Sequence, residues 1–283
     1  MLLVCMVAAG ALAGSRREKA AAARAEAQDL VDAIWRGDGN VNAAVNRVKY
    51  IGLEGPVSLE LSDLVRRTTD EQQLRRIAQA LASLAHANGE AALVWLLGND
   101  DGVLRMYGAQ GLGRINSAGA GGRLVPLLAD KSLGVRKEAA KALGLVHYTR
   151  AGPSLMKAAK AEPELEAKVE MLIAVGGSGD KKQAAALEKF LDDPSESTRF
   201  AAAQGLCLLG NKRGFEFAKK KLQSAERYDR LEGLKLFEGT KAREAAPVLT
   251  PMLQDDDGAV AAMAARILHQ GGDPKMLEWL VVK

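Results

Sequence analysis

The residues of this 283-residue chain whose types could carry chemistry are three histidines, two cysteines, a glycine cluster and a run of cations. His86, His147 and His269 lie far apart, with no HExxH spacing and no carboxylate clustered beside them. Each falls near the end of a helical stripe, where a polar or cationic residue is ordinary. A metal needs several ligands converging on one point, so no metal site is expected. Cys5 and Cys207 make no CxxC pair, and Cys207 sits in an alanine-rich stretch where a thiol packs as a small inert hydrophobe. "GGSGD" at 176–180 follows a helical stretch and lacks the lysine of a phosphate loop. Gly108, Gly111 and Gly113 belong to one helical stripe, not to a βαβ turn. These residues imply no catalytic group, no cofactor and no enzyme activity of the chain's own.

The cations Lys212, Arg213, Lys219, Lys220 and Lys221 are interrupted by Glu216, and no aromatic residues interleave them. That pattern reads as a solvated helix face, and nucleic acid is not the expected partner. The net charge is +4 with both signs mixed along the chain, which is not by itself a nucleic-acid signature. Trp35, Trp95 and Trp279 are scattered and map onto no common site.

A second set of charges recurs. Asp130 and Arg136 are followed by Ala139, Leu143 and Gly144. The same register holds Asn99, Arg105, Gly108, Leu112 and Gly113, then Glu162, Lys168, Met171, Val175 and Gly176. It returns as Asp193, Arg199, Ala202, Leu206 and Cys207, as Ser224, Arg230, Gly233, Phe237 and Glu238, and as Asp255, Ala261, Ala264, Leu268 and His269. Asp130, Arg136, Asp193 and Arg199 therefore form a ladder. The expected role is structural, capping helices and linking one repeat to the next.

The elements that must hold such a ladder are helices. The chain is 48% hydrophobic and only 4% aromatic, and its alanine and leucine favour closely packed helices over sheets. "GGRLVPLLA" and "VRKEAAKALGLV" each place their apolar residues at helical spacing. Between the paired helices, "DKSLG" and "DDPSES" are turn sequences. One such pair cannot bury its stripe alone, so the units must stack. Counted from the arginine position, residues −1, +3, +6 and +7 form the buried stripe of each second helix, and +1 and +5 point away. "VNAAVNRVKYIG", "PVSLELSDLVRR" and "EQQLRRIAQALASLAHANG" are further helical stripes that fit the register poorly.

This pattern resembles HEAT repeats, in the short form found in phycobilin lyase subunits. Asp130, Val135, Arg136, Ala139, Ala140, Ala142, Leu143 and Gly144 carry the likeness, as do Asp193, Pro194, Arg199, Ala202, Ala203 and Leu206. The resemblance implies an all-α fold, a right-handed α-solenoid of about seven helix pairs over residues 41–283. Pro126 and Pro251 stand where the family's first helix is kinked. The implied function is non-catalytic: a scaffold that binds a protein partner on its concave face. The alternative is a lyase-type subunit, or a chaperone for a chromophore-bearing or modified protein. The candidate concave row is Met106, Lys137, Lys141, Val169, Ile173, Phe200, Gln204, Leu231 and Lys235.

The N-terminal run "MLLVCMVAAGALAGS" ends Ala11-Leu12-Ala13 and reads as a signal peptide over 1–13. Residues 14–40 are then an alanine-rich helix, either cap or tether. The expected setting is a bacterial periplasm or envelope, with a monomeric protein that has no spanning segment. If the leader is not cleaved, the chain is cytoplasmic.

Overall fold

In a computed structural model, residues 2–282 are described, with side chains for residue 18 and for 20–281. The expected cleavage after Ala13 falls outside the described side chains. The chain divides into two compact units, Met1–Ser117 and Ala118–Lys283. The first holds α1 (Leu2–Arg36), α2 (Val41–Ile51), α3 (Glu54–Arg67), α4 (Glu71–Leu84), α5 (Glu90–Leu96) and α6 (Gly102–Arg114). The second begins with α7 (Gly121–Leu124), α8 (Leu133–Leu145), α9 (Gly152–Ala161), α10 (Leu165–Gly177), α11 (Ala184–Glu188) and α12 (Glu196–Leu208). It continues with α13 (Lys212–Leu222), α14 (Arg227–Lys235), α15 (Ala242–Leu249), α16 (Gly258–Gln270) and α17 (Lys275–Val282). No strand occurs among the described residues, and no helix there is long and apolar enough to cross a membrane.

From α3 to α16 the helices alternate as first and second members of seven pairs. A residue of left-handed backbone follows every second helix: Ala85, Asn116, His147, Gly179, Gly210, Gly239 and Gly272. Ala85, Asn116 and His147 hold φ near 50°, a conformation that side chains resist. The turn between pairs imposes it. This marker extends the repeat upstream to α3–α4, where residue types alone show the register poorly.

The buried stripe lies where the spacing places it. Val135, Ala139, Ala142 and Leu143 on α8 are fully buried, as are Ala167, Met171 and Val175 on α10. Alanine and glycine let the second helices close up: α8 packs on α10, and α10 on α12. Leu143→Ala is expected to cost about 3 kcal/mol through lost core atoms and the cavity left behind. Lys141→Ala, at an exposed position of the same helix, should cost within about 0.5 kcal/mol. Equal losses in urea melts would contradict this helical phase.

The acidic ladder positions do not cap helices directly, which corrects the simplest expectation. Asp130 Oδ1 accepts from the Ser132 N–H at 2.8 Å, Asp193 Oδ1 from Ser195 at 2.9 Å and Asp255 Oδ1 from Asp257 at 3.0 Å. Asn99, Glu162 and Ser224 accept in the same way from the residue two positions on. The side chain thus closes the turn, and the N-cap stands two residues later. Asp101, Ser195 and Asp257 cap α6, α12 and α16 through their side chains. At Pro126 the end of the first helix tightens into a 3-10 turn, Val125–Ala129, and at Pro251 into Pro251–Gln254. Proline is not required for this, because Lys189–Asp192 tightens likewise without one.

Candidate functional site

Each repeat arginine reaches back over its own turn. Arg136 Nη1 donates to the carbonyl of Asp130 at 3.0 Å, Arg199 to that of Asp193 at 2.8 Å and Arg105 to that of Asn99 at 2.7 Å. Arg230 does the same to Ser224. Arg136 and Arg230 also reach the next repeat. Arg136 meets Glu162 with two hydrogen bonds, Nη2 to Oε1 at 2.7 Å and Nε to Oε2 at 2.8 Å. Arg230 meets Asp255 at 3.0 Å. The Arg136 hydrogen bond holds the Glu162 carboxyl below the usual carboxylate range against the opposing effect of burial. Both arginine side chains are thus engaged on two sides, within their own turn and with the next repeat. Arg136 and Arg230 thus tie one repeat to the next, whereas among the described residues Arg199 bonds only within its own turn.

A cleft of about 570 Å³ opens beside the Arg136–Glu162 pair, between residues 125–129 and α9. Val125, Pro126, Ala129 and Ala158 form apolar walls, and Arg136 and Glu162 lie at its edge. No group of three or more potential metal ligands occurs among the described residues. His86 Nδ1 accepts from the Asn88 N–H, and His147 Nδ1 lies 2.8 Å from the Gly177 carbonyl. Both rings therefore close helix ends. Cys207 is fully buried, and burial pushes its thiol far up, away from any nucleophilic thiolate.

The proposed concave row is spread over the second helices. Met106 lies half-buried on α6 in the first unit. In the second unit Lys137 and Lys141 stand on α8, Val169 and Ile173 on α10, and Phe200 and Gln204 on α12. α8 packs on α10 and α10 on α12, so the three pairs stand on neighbouring helices. Leu231 and Lys235 stand on α14, which packs on α13 and α16. Val169, Ile173, Phe200 and Leu231 are half-buried, whereas Lys141 and Lys235 are exposed. Lys137 Nζ donates to Glu166 across the α8–α10 contact at 2.6 Å. This bond holds Glu166 below its ordinary range and raises Lys137.

Three exposed apolar residues on these helices escape the sequence reading. Leu165 is 46% exposed, Leu145 45% and Tyr228 67%. Leu165 stands four residues before Val169, and Ile173 four after it, so α10 presents one continuous apolar stripe. Extending the +1 and +5 positions back by one helical turn would have found it.

The HEAT-repeat family profile matches residues 58–144 and 90–169. No curated protein sequence matches the chain. Among solved structures, the complex of CpcE and CpcF of phycocyanin lyase from Nostoc sp. PCC7120 is similar at 19% identity with a TM-score of 0.61. The match covers 79% of this chain and 92% of that one. The Escherichia coli protein YibA is similar at 19% identity with a TM-score of 0.52, over 86% of this chain and 95% of that one. At such identities the likeness is one of fold.

Proposed function

For this all-α protein, whose residues 58–169 match HEAT repeats, we propose a non-catalytic role as an interaction or scaffold protein that grips its partner on a concave face, along the side of the second helices turned away from the buried stripe. The observation that carries this reading is the α10 stripe of Leu165, Val169 and Ile173, with Phe200 beside it on α12. A solvated helix face has no use for four large apolar side chains in one place, and an accessible apolar patch favours a protein contact. The salt-bridged Lys137–Glu166 pair at its edge, with Lys141 nearby, supplies a polar rim. In HEAT repeats, which this chain resembles, the corresponding side lines the concave face, and this supports the reading. The fitting partner is an apolar segment flanked by acidic groups. Export to a bacterial envelope, resting on the Ala11-Leu12-Ala13 pattern, belongs to the same reading.

Phe200→Glu tests it. The variant should lose the partner that wild type captures from native envelope extract, as identified by mass spectrometry. Its helical content and melting temperature should stay close to wild type, because Phe200 lies on the accessible side of α12. A variant that unfolds, or that captures the same partner equally well, excludes this face. The alternative of a lyase-type subunit or chaperone is supported by the fold likeness to the CpcE–CpcF complex. Fold alone carries no activity with it, and the buried Cys207 offers such chemistry no thiolate.

A further inference from the structure

The first helices of the second unit carry a charge pattern distinct from the ladder. Arg150, Lys181, Lys212 and Arg243 recur every 31 residues without a break. Each lies in the first turn of the first helix of its pair: the 3-10 turns Thr149–Ala151 and Lys181–Gln183, then α13 and α15. All four are exposed. Constant register on successive repeats puts them in one row. Neighbouring helices pack at about 8–10 Å, so the row is about 30 Å long.

Folding does not explain the row. A cation in the first turn faces the positive end of the helix dipole, where a carboxylate is favoured. Nor are these charges used internally. No ion pair among the described residues takes up Arg150, Lys181 or Arg243, and Lys212 has only a loose contact with Glu216 at 3.7 Å. Nearby carboxylates are engaged or set back. Asp180 is buried and accepts from the Lys182 N–H and from Gln183, Glu188 accepts from Asn211 and Arg213, and Glu244 is half-buried.

We propose that this row is a binding site for the phosphate backbone of duplex nucleic acid, without base specificity. The partner must be recognised by charge alone, because the exposed large apolar residues of the second unit lie on α8, α10, α14 and α17. An acidic peptide would need apolar anchors to offset its ordering. A single strand would need exposed aromatic platforms, and Phe190, Phe215 and Phe217 are half-buried. A membrane would engage a two-dimensional patch, whereas this site is a line. A duplex presents phosphates at regular intervals along a line and asks only for cations. The proposal sets aside the expectation that nucleic acid is not a partner. That expectation rested on the run at 212–221 and on the mixed net charge of the whole chain, whereas the row gathers one cation from each of four repeats.

Fluorescence anisotropy with a labelled 20-base-pair duplex tests the site. Four phosphate contacts imply a log–log salt slope of about −3.6 for wild type. R150A/K181A/K212A/R243A should weaken binding at least tenfold at low salt and bring the slope close to zero, with circular dichroism unchanged. R24A/K49A/R66A/R67A removes four exposed cations from the first unit and should keep most of the slope. Equal losses in both variants would reduce the effect to net charge and overturn the row. So would an unaltered slope in the first variant, or binding to phosphatidylserine vesicles without binding to duplex.

Discussion

Gly176→Ala forces α10 away from α12 and should destabilise the second unit by about 3 kcal/mol or more. A Cβ on Gly176 falls onto the Gly205 backbone carbonyl, with the Gly205 Cα only 2.5 Å away. The obstacle is backbone, so no rotamer change relieves it, and the cost lies at the upper end of overpacking or beyond it. The approach is mutual, because a Cβ on Gly205 would lie 2.6 Å from the Leu172 carbonyl oxygen. Gly258→Ala provides the contrast. Nothing lies within 4 Å of its added methyl, and alanine is the better helix former. That variant should melt at or slightly above the wild-type midpoint. Similar urea midpoints for both alanine variants would mean that the α10–α12 contact is looser than the structure has it.

Arg136→Met should cost about 3–5 kcal/mol, because it strands a buried carboxylate. The Glu162 side chain is 4% exposed and that of Arg136 15%. Removing the guanidinium also removes its hydrogen bonds to the Asp130 and Lys131 carbonyls. The pH dependence identifies the cause. In wild type the folded-state pKa of Glu162 is depressed, chiefly by the Arg136 hydrogen bond. Its stabilising contribution is therefore present above the unfolded value of about 4.3 and is lost as pH falls through the folded pKa. In the variant, burial acts against the charged form with less opposition. The stability gap between wild type and variant should therefore be widest near neutrality and narrow on acidification. A gap that is constant from pH 7 down to 3 would assign the loss to packing of the arginine stem.

The repeat was legible because its signal is local. Apolar residues at −1, +3, +6 and +7 define a helix face from chain neighbours alone, and the buried residues of α6, α8, α10, α12 and α16 follow it. The upstream register was not legible. Ala85 carries no residue-type marker, and only its backbone angle places α3–α4 in the series. Cys207 stands where three other repeats have Gly113, Gly144 and Gly176. Gly205, two residues earlier, makes the close approach to α10, a substitution of role that no spacing rule announces.

The candidate surfaces divide the same way. The sequence by itself determined the two-helix unit, its period and the residue types on each side, since these depend on 3.6-residue periodicity and turn chemistry. Only the tertiary structure decided that the acidic positions close turns two residues ahead, and that Arg136 reaches Glu162 while Arg199 stays on its own turn. It likewise decided that Val169 and Phe200 are half-covered while Leu165 is open, and that Arg150, Lys181, Lys212 and Arg243 stand exposed with their charge free of strong internal pairing. Exposure and pairing are set by helices 8–10 Å away, whose side chains lie about 30 residues off along the chain. Local periodicity carries no term for them.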